Sequence, residues 1–193
     1  MARKKNFDEQ EVLDKALQLF WRKGYHATSI QDLVDELGIN RASMYDTWGD
    51  KHRLYLAALK RYRQYASSWF LEEIRSEKPA RQIIENFLKH LVNDMIADAD
   101  RKGCFVVNST TELATMDKEV QAMVEENRRT VEQVLAELIK EGQASGQFSS
   151  AHSPESLARF IFSVISGIRV VCKTQISNRE LQEVIDITLS ALD

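Results

Sequence analysis

Eight residues near the N-terminus carry the side chains best suited to chemistry. In the octet Arg41–Trp48, Met44 and Trp48 stand four apart, so a helix would turn both inward. Arg41, Ser43, Tyr45 and Thr47 then point outward. A guanidinium can fork onto the edge of guanine, and hydroxyls can reach phosphates or base edges. Just upstream, Thr28 and Ser29 open another helix. Its free amides and hydroxyls make a seat for an anion. The chemistry implied is non-covalent recognition of duplex DNA; an ordinary helical hairpin within a bundle is the alternative.

Such side chains work only if a rigid frame holds them, and the surrounding pattern supplies one. Ile30, Leu33, Val34 and Leu37 recur at i, i+3, i+4, i+7, which predicts an amphipathic second helix. Gly38 stops it and Asn40 caps the third. The layout is helix, a turn of about four residues, then a short helix, as in a helix-turn-helix. A first helix precedes them. Asp8 caps it, Glu11 completes a capping box, Phe7 staples onto Val12, and Gly24 ends it. Arg3, Lys4 and Lys5 form a basic arm that either enters a minor groove or stays solvated.

Helical spacing continues to the C-terminus. Expected helices span 51 to about 77, from Pro79 onward, 104–113, 117–144, 154–174 and 178–192. The chain is therefore read as all-α, with about nine helices. A DNA-binding domain of three helices occupies residues 1–50, and a helical effector-binding and dimerisation domain occupies residues 51–193. Only two prolines and seven glycines interrupt it, and apolar residues make up 44%, enough for a core.

Charge and cysteines exclude other classes. The formal net charge is −3, yet residues 1–63 hold 12 Lys and Arg against 9 Asp and Glu. A mildly basic head on an acidic body suits a protein that offers one end to an anion. Two distant cysteines make neither a disulfide framework nor a zinc site. No apolar run is long enough for a membrane span. A soluble, cytoplasmic protein without cofactor or metal is expected, since His26, His52, His90 and His152 lack ligand-spaced neighbours. No nucleophile–base pair, phosphate loop or metal motif supports an enzyme.

The run Gly24-Tyr25-His26-Ala27-Thr28-Ser29-Ile30, the turn Leu37-Gly38-Ile39, and Ser43-Met44-Tyr45-Asp46-Thr47-Trp48-Gly49-Asp50-Lys51 resemble the N-terminal domain of the tetracycline-repressor (TetR) family. The likeness covers about residues 8–60 without a gap. Gly103-Cys104-Phe105-Val106-Val107-Asn108 and Ser166-Gly167-Ile168-Arg169-Val170 resemble a subgroup of that family more loosely. The resemblance implies that Tyr45 and Lys51 hold phosphates and that Arg41, Ala42 and Ser43 face base or sugar edges. It adds Gln31 as a further contact and places Thr28 and Ser29 on phosphate. Two residues depart from the pattern. Asp46 puts a negative charge on the reading helix, and Trp48 replaces the commoner phenylalanine.

The last two helices are apolar on two faces. Leu157, Ile161, Val164 and Ile168 on one, with Leu181, Ile185 and Leu192 on the other, are the expected homodimer interface, a four-helix arrangement as in the family. Full burial within a monomer is the alternative. An effector cavity in the regulatory half is implied by the resemblance. Its candidate lining is Phe87, Leu91, Met95, Cys104, Phe105, Met116, Met123, Phe162 and Ile165, each of which could equally be ordinary core. Cys104 follows Arg101 and Lys102 at a helix start, which favours thiolate; a buried inert thiol is the alternative.

The expected function is a dimeric repressor of operator DNA, released by an unidentified small molecule. Release through covalent modification of Cys104 is a second reading. An all-helical carrier without DNA binding is a third, and Tyr45 with Lys51 beside the hairpin argues against it.

Overall fold

Polar caps set where most helices begin. The computed structural model describes residues 7–193, within which the chain forms α1 (Glu9–Lys23), α2 (Ile30–Leu37), α3 (Arg41–Trp48), α4 (Lys51–Ile74), α5 (Ala80–Ala97), α6 (Phe105–Leu113), α7 (Lys118–Ala144), α8 (Pro154–Val171) and α9 (Asn178–Ser190). No strand occurs among these residues. The basic arm Arg3–Lys5 lies outside them.

Asp8 accepts from the backbone N–H of Gln10 and Glu11. Ser29 and Asp32 cap α2 reciprocally, Asn40 caps α3 at Ser43, and Asp50 caps α4 at Arg53. Each such cap satisfies an orphan donor and contributes about 1 kcal/mol. At α1 the expected reciprocal partner acts elsewhere, since Glu11 pairs with Lys15 at 2.8 Å. Phe7 stacks on Trp48 with ring centroids 6.4 Å apart. The staple therefore reaches across to α3.

Two cores divide the molecule. The first gathers Val12, Ala16, Phe20, Leu33, Leu37 and Met44 with Leu54, Tyr55, Leu59 and Tyr62 of α4, and with Phe105, Leu113, Val120 and Val124 of α6 and α7. The head thus borrows core from both ends of α6, and the first half of α4 is shared between head and body. The second core packs Ile84, Phe87, Leu88 and Leu91 of α5 against Leu135 and Ile139 of α7 and the inner faces of α8 and α9.

Those inner faces correct one expectation. Leu157, Ile161, Ile168, Leu181, Ile185 and Leu192 are buried against the chain's own second core and have nothing left to offer a partner. Of the seven residues expected at the interface only Val164 is half-buried. The apolar side chains that stay open are Phe160, Val170 and Val171 on α8 and Val184 and Ile187 on α9. Phe160, Val164, Gly167 and Val171 form an i, i+4, i+7, i+11 stripe, as Val184, Ile187 and Ala191 do at i, i+3, i+7. The apolar side chains of α8 and α9 thus divide between the chain's own core and an open stripe.

Candidate nucleic-acid interface and effector cavity

Helix α3 stands on a single buried side chain, Met44. Arg41, Ala42 and Asp46 are exposed, and Ser43, Tyr45 and Thr47 are half-buried. Arg41 leans on Tyr45: its Nη2 donates to the phenol oxygen at 3.4 Å, and its guanidinium lies 5.5 Å from the ring centroid. Lys51, at the first turn of α4, rests over the Tyr25 ring at 4.2 Å. Burial pulls its ammonium below the ordinary lysine pKa. Arg41, Tyr45 and Lys51 thus gather around α3 and the turn that follows it.

Other expected contacts are placed differently. Thr28 is fully buried, and its hydroxyl donates to the Gly24 carbonyl at 2.6 Å, so it closes the turn and does not face a phosphate. The Thr47 hydroxyl donates to the Ser43 carbonyl at 2.8 Å, which spends its only proton within α3. Gln31 is exposed, with its amide donating to Asp35 at 2.8 Å. Ser29 is exposed at the helix start, where its Oγ accepts from the Asp32 N–H.

One carboxylate of the body ties down the turn between α1 and α2. Glu112 of α6 accepts from the backbone N–H of Tyr25 at 3.0 Å and of His26 at 2.8 Å. Gly24 makes room for it. Its φ is +83°, and an added Cβ would sit 3.0 Å from Glu112 Oε2. Nearby, His52 Nε2 meets Asp117 Oδ2 at 2.6 Å. Burial pushes the Asp117 carboxyl up, but the Val120 N–H, the His52 ring and the Glu119 N–H outweigh it and hold it below the usual range. Tyr55 donates to Ser109 Oγ at 2.7 Å, because the serine's own proton goes to the Phe105 carbonyl. Sequence reading missed Glu112 and Asp117, whose partners lie more than sixty residues away.

A cavity of about 500 Å³ lies between α1, α4, α5 and the loop 98–102. Phe87, Leu91 and Met95 line it, together with Trp21, Tyr62, Trp69 and Phe70. A smaller cavity of about 60 Å³ adjoins it across Tyr62, Ala66, Phe70, Phe87 and Arg169, and Cys104 opens onto this one. The remaining candidates lie elsewhere. Phe105 is buried in the first core, edge-on to Tyr55 and Tyr62, and Met123 packs against the same core. Ile165 belongs to the second core. Met116 is 71% exposed past the end of α6, and Phe162 is half-buried on α8 away from both cavities.

A three-helix head with an outward polar face, joined to a helical body by shared core, defines a helix-turn-helix protein. Residues 12–58 match the sequence model of bacterial regulatory proteins of the tetR family, and residues 80–188 match the tetracycline repressor-like C-terminal domain. The chain belongs to the TetR family. It is similar to the uncharacterized HTH-type transcriptional regulator YezE of Bacillus subtilis, at 29% identity over the whole of both chains. It is also similar to the HTH-type transcriptional repressor ComR of Escherichia coli, at 27% identity over 97% of this chain and 90% of that one. Among solved structures, a cysteine-substituted form of the TetR-family regulator CifR with a 26-base-pair operator duplex superposes with a TM-score of 0.85, at 25% identity over 99% of this chain and 100% of that one. The reduced form of E. coli NemR matches in fold, with a TM-score of 0.83 at 17% identity over 93% of both chains. Among the described residues no helix is long and apolar enough to cross a membrane.

Proposed function

We propose that two copies of this chain pair through the open stripes of α8 and α9 and grip an operator as a repressor, which a small molecule in the α1/α4/α5 cavity releases. Arg41 reads a base edge, Ala42 and Ser43 lie on the groove wall, and Tyr45 and Lys51 hold phosphates, with Ser29 and Gln31 at the flank. Two heads related by a two-fold axis address half-sites about 34–36 Å apart, or a multiple of that. A change in head spacing then uncouples both from DNA.

The observation that carries this reading is that the cavity wall is partly head. Gln18 and Trp21 belong to α1, and both line it. Whatever fills the space touches the DNA-binding domain itself as well as α4.

The test is fluorescence anisotropy of the purified protein on duplex from its own upstream region. Affinity should fall steeply with salt, as phosphate contacts require. Lys51→Ala should lower the salt slope by about one, and Arg41→Ala should weaken specific binding by about 1–3 kcal/mol. A monomer that ignores all such duplexes at low ionic strength would end the proposal.

One observation favours a second trigger. The Cys104 thiol is 1% exposed yet opens onto the smaller cavity, against Tyr62. In that reading an electrophile small enough to enter alkylates the thiol and forces the wall apart. Operator release by N-ethylmaleimide that disappears in Cys104→Ser supports it, and release that persists removes it.

A further inference from the structure

The charged groups around the larger cavity are paired, with one exception. Asp98 Oδ2 accepts from the backbone N–H of Lys102 at 2.6 Å and of Gly103 at 3.3 Å. Its Oδ1 receives no well-aligned hydrogen bond but stands 2.9 Å from the Lys102 ammonium, so its charge is met. The same ammonium lies 3.6 Å from Asp100. His90 pairs with Asp94 at 3.3 Å and stacks on Trp69 with centroids 3.9 Å apart.

Arg169 stands apart. Arg169 as a whole is half-buried and lines both cavities, and its Nε is buried with no acceptor. Its α8 backbone is pinned beneath Gly103, where an added Cβ would meet the Arg169 carbonyl at 3.0 Å. Burial pushes the neighbouring Tyr62 phenol well up, Cys104 adds to that, and Arg169 opposes it. A guanidinium stays charged in any protein, so it cannot shed its proton to relieve the cost. A guanidinium N–H shut away from water without an acceptor is costly, and an anion seated on the same fork offsets part of that cost.

The surroundings narrow the anion. A single guanidinium balances a single negative charge. Asp94, Asp98 and Asp100 at the rim disfavour a dianion such as a phosphate monoester. Trp21, Tyr62, Trp69, Phe70 and Phe87 offer flat apolar faces, and about 500 Å³ suits a small ring system.

We propose that the ligand of this cavity is an aromatic monocarboxylate, its carboxylate seated on Arg169 and its ring between the aromatic walls. The proposal rests on reading the cavity as the effector site. An occupant so placed touches Trp21 of the head at one end and α8 at the other.

The test uses the full chain and a panel of sodium benzoate, phenylacetate, naphthoate and indoleacetate, each beside its carboxamide and its amine. Tryptophan fluorescence reports binding, since Trp21 and Trp69 line the cavity. At least one acid should quench saturably at millimolar concentration, with its amide and amine about tenfold weaker or more. Arg169→Gln should bring that acid to the level of its amide while the cooperative thermal transition is kept. Arg169→Lys, which retains charge without the fork, should fall between and serves where Arg169→Gln does not fold. The proposal is overturned if an amide or amine binds as tightly as its acid, if the preference survives Arg169→Gln, or if no acid quenches. A neutral congener that quenches and frees the operator would leave the effector site standing and remove the anion. An acid that binds through Arg169 without weakening operator binding would uphold the ligand class and remove the release mechanism.

Discussion

Trp21 donates its indole N–H to the carbonyl oxygen of Gly103 at 3.0 Å. The bond ties the first helix of the head to the loop that edges the cavity, eighty-two residues away in sequence. The same indole lies under the Lys102 ammonium at 4.9 Å. The ring thus lines the cavity while its edge is anchored to the body.

Trp21→Phe removes the donor and leaves a buried carbonyl without its partner. The chain should lose about 1–2 kcal/mol in urea denaturation. Operator affinity without ligand should change little, while the fall in affinity caused by a ligand should shrink. An undiminished ligand response in this variant would take Trp21 out of the coupling.

Glu112→Ala strips two adjacent backbone N–H groups of a charged acceptor. A loss of about 2–3 kcal/mol is expected, because hydrogen bonds to charged groups are the stronger kind. The segment it holds leads into the Ser29 cap, so operator binding should weaken as well. Glu112→Gln keeps an acceptor oxygen and should lose about half as much. Equal stability of the alanine variant and the parent would show that the clamp carries no load.

Ile187 and Ile185 are neighbours on α9 with opposite fates. Ile187 is 69% exposed and Ile185 is fully buried. If the proposed pairing holds, Ile187→Glu should leave folding intact and give a monomer in sedimentation. Ile185→Glu should cost more than 3 kcal/mol and abolish the cooperative transition. A dimer that persists with Ile187→Glu and Phe160→Glu combined would place the interface elsewhere.

Acid should destabilise the fold. Lys23 at 2.7 Å, together with the Ser29 backbone and hydroxyl, holds the Asp32 carboxyl well below the usual carboxylate range. Asp117 is also held low, against the upward push of its burial. Carboxyls whose folded pKa lies below the unfolded value, about 3.9 for aspartate, add stability that is complete above that value. That stability drains away as pH falls through the folded pKa. The denaturation midpoint should therefore hold steady above about pH 5 and drop below about pH 4. Asp117→Asn should flatten the drop. A midpoint that instead falls on going from pH 5 to pH 7 would reverse the assigned sign.

Local signals made the frame legible. The caps at Asp8, Ser29, Asn40, Asp50 and Ser153 stand where the residue types place them, since a short polar side chain before an apolar stripe has few other uses. Long-range facts were not legible. Heptad-like spacing found both apolar stripes of α8, yet periodicity cannot say which stripe meets the chain's own α7. Trp21 and Tyr62 carry no local mark of a cavity, because it forms only when α1, α4 and α5 meet. Met116 looked like lining material but follows the last turn of α6 into solvent. Arg169 was noticed only within a motif, since its lack of a partner is visible in three dimensions alone.

Met44 is the only residue of α3 sunk fully into the core. The three exposed positions around it can therefore be exchanged with little penalty to folding, as exposed sites generally can. Target preference is free to drift over generations while the scaffold stays unchanged. A duplicated copy of this chain could acquire a new binding sequence by altering Arg41, Ala42 or Asp46 without rebuilding anything beneath them.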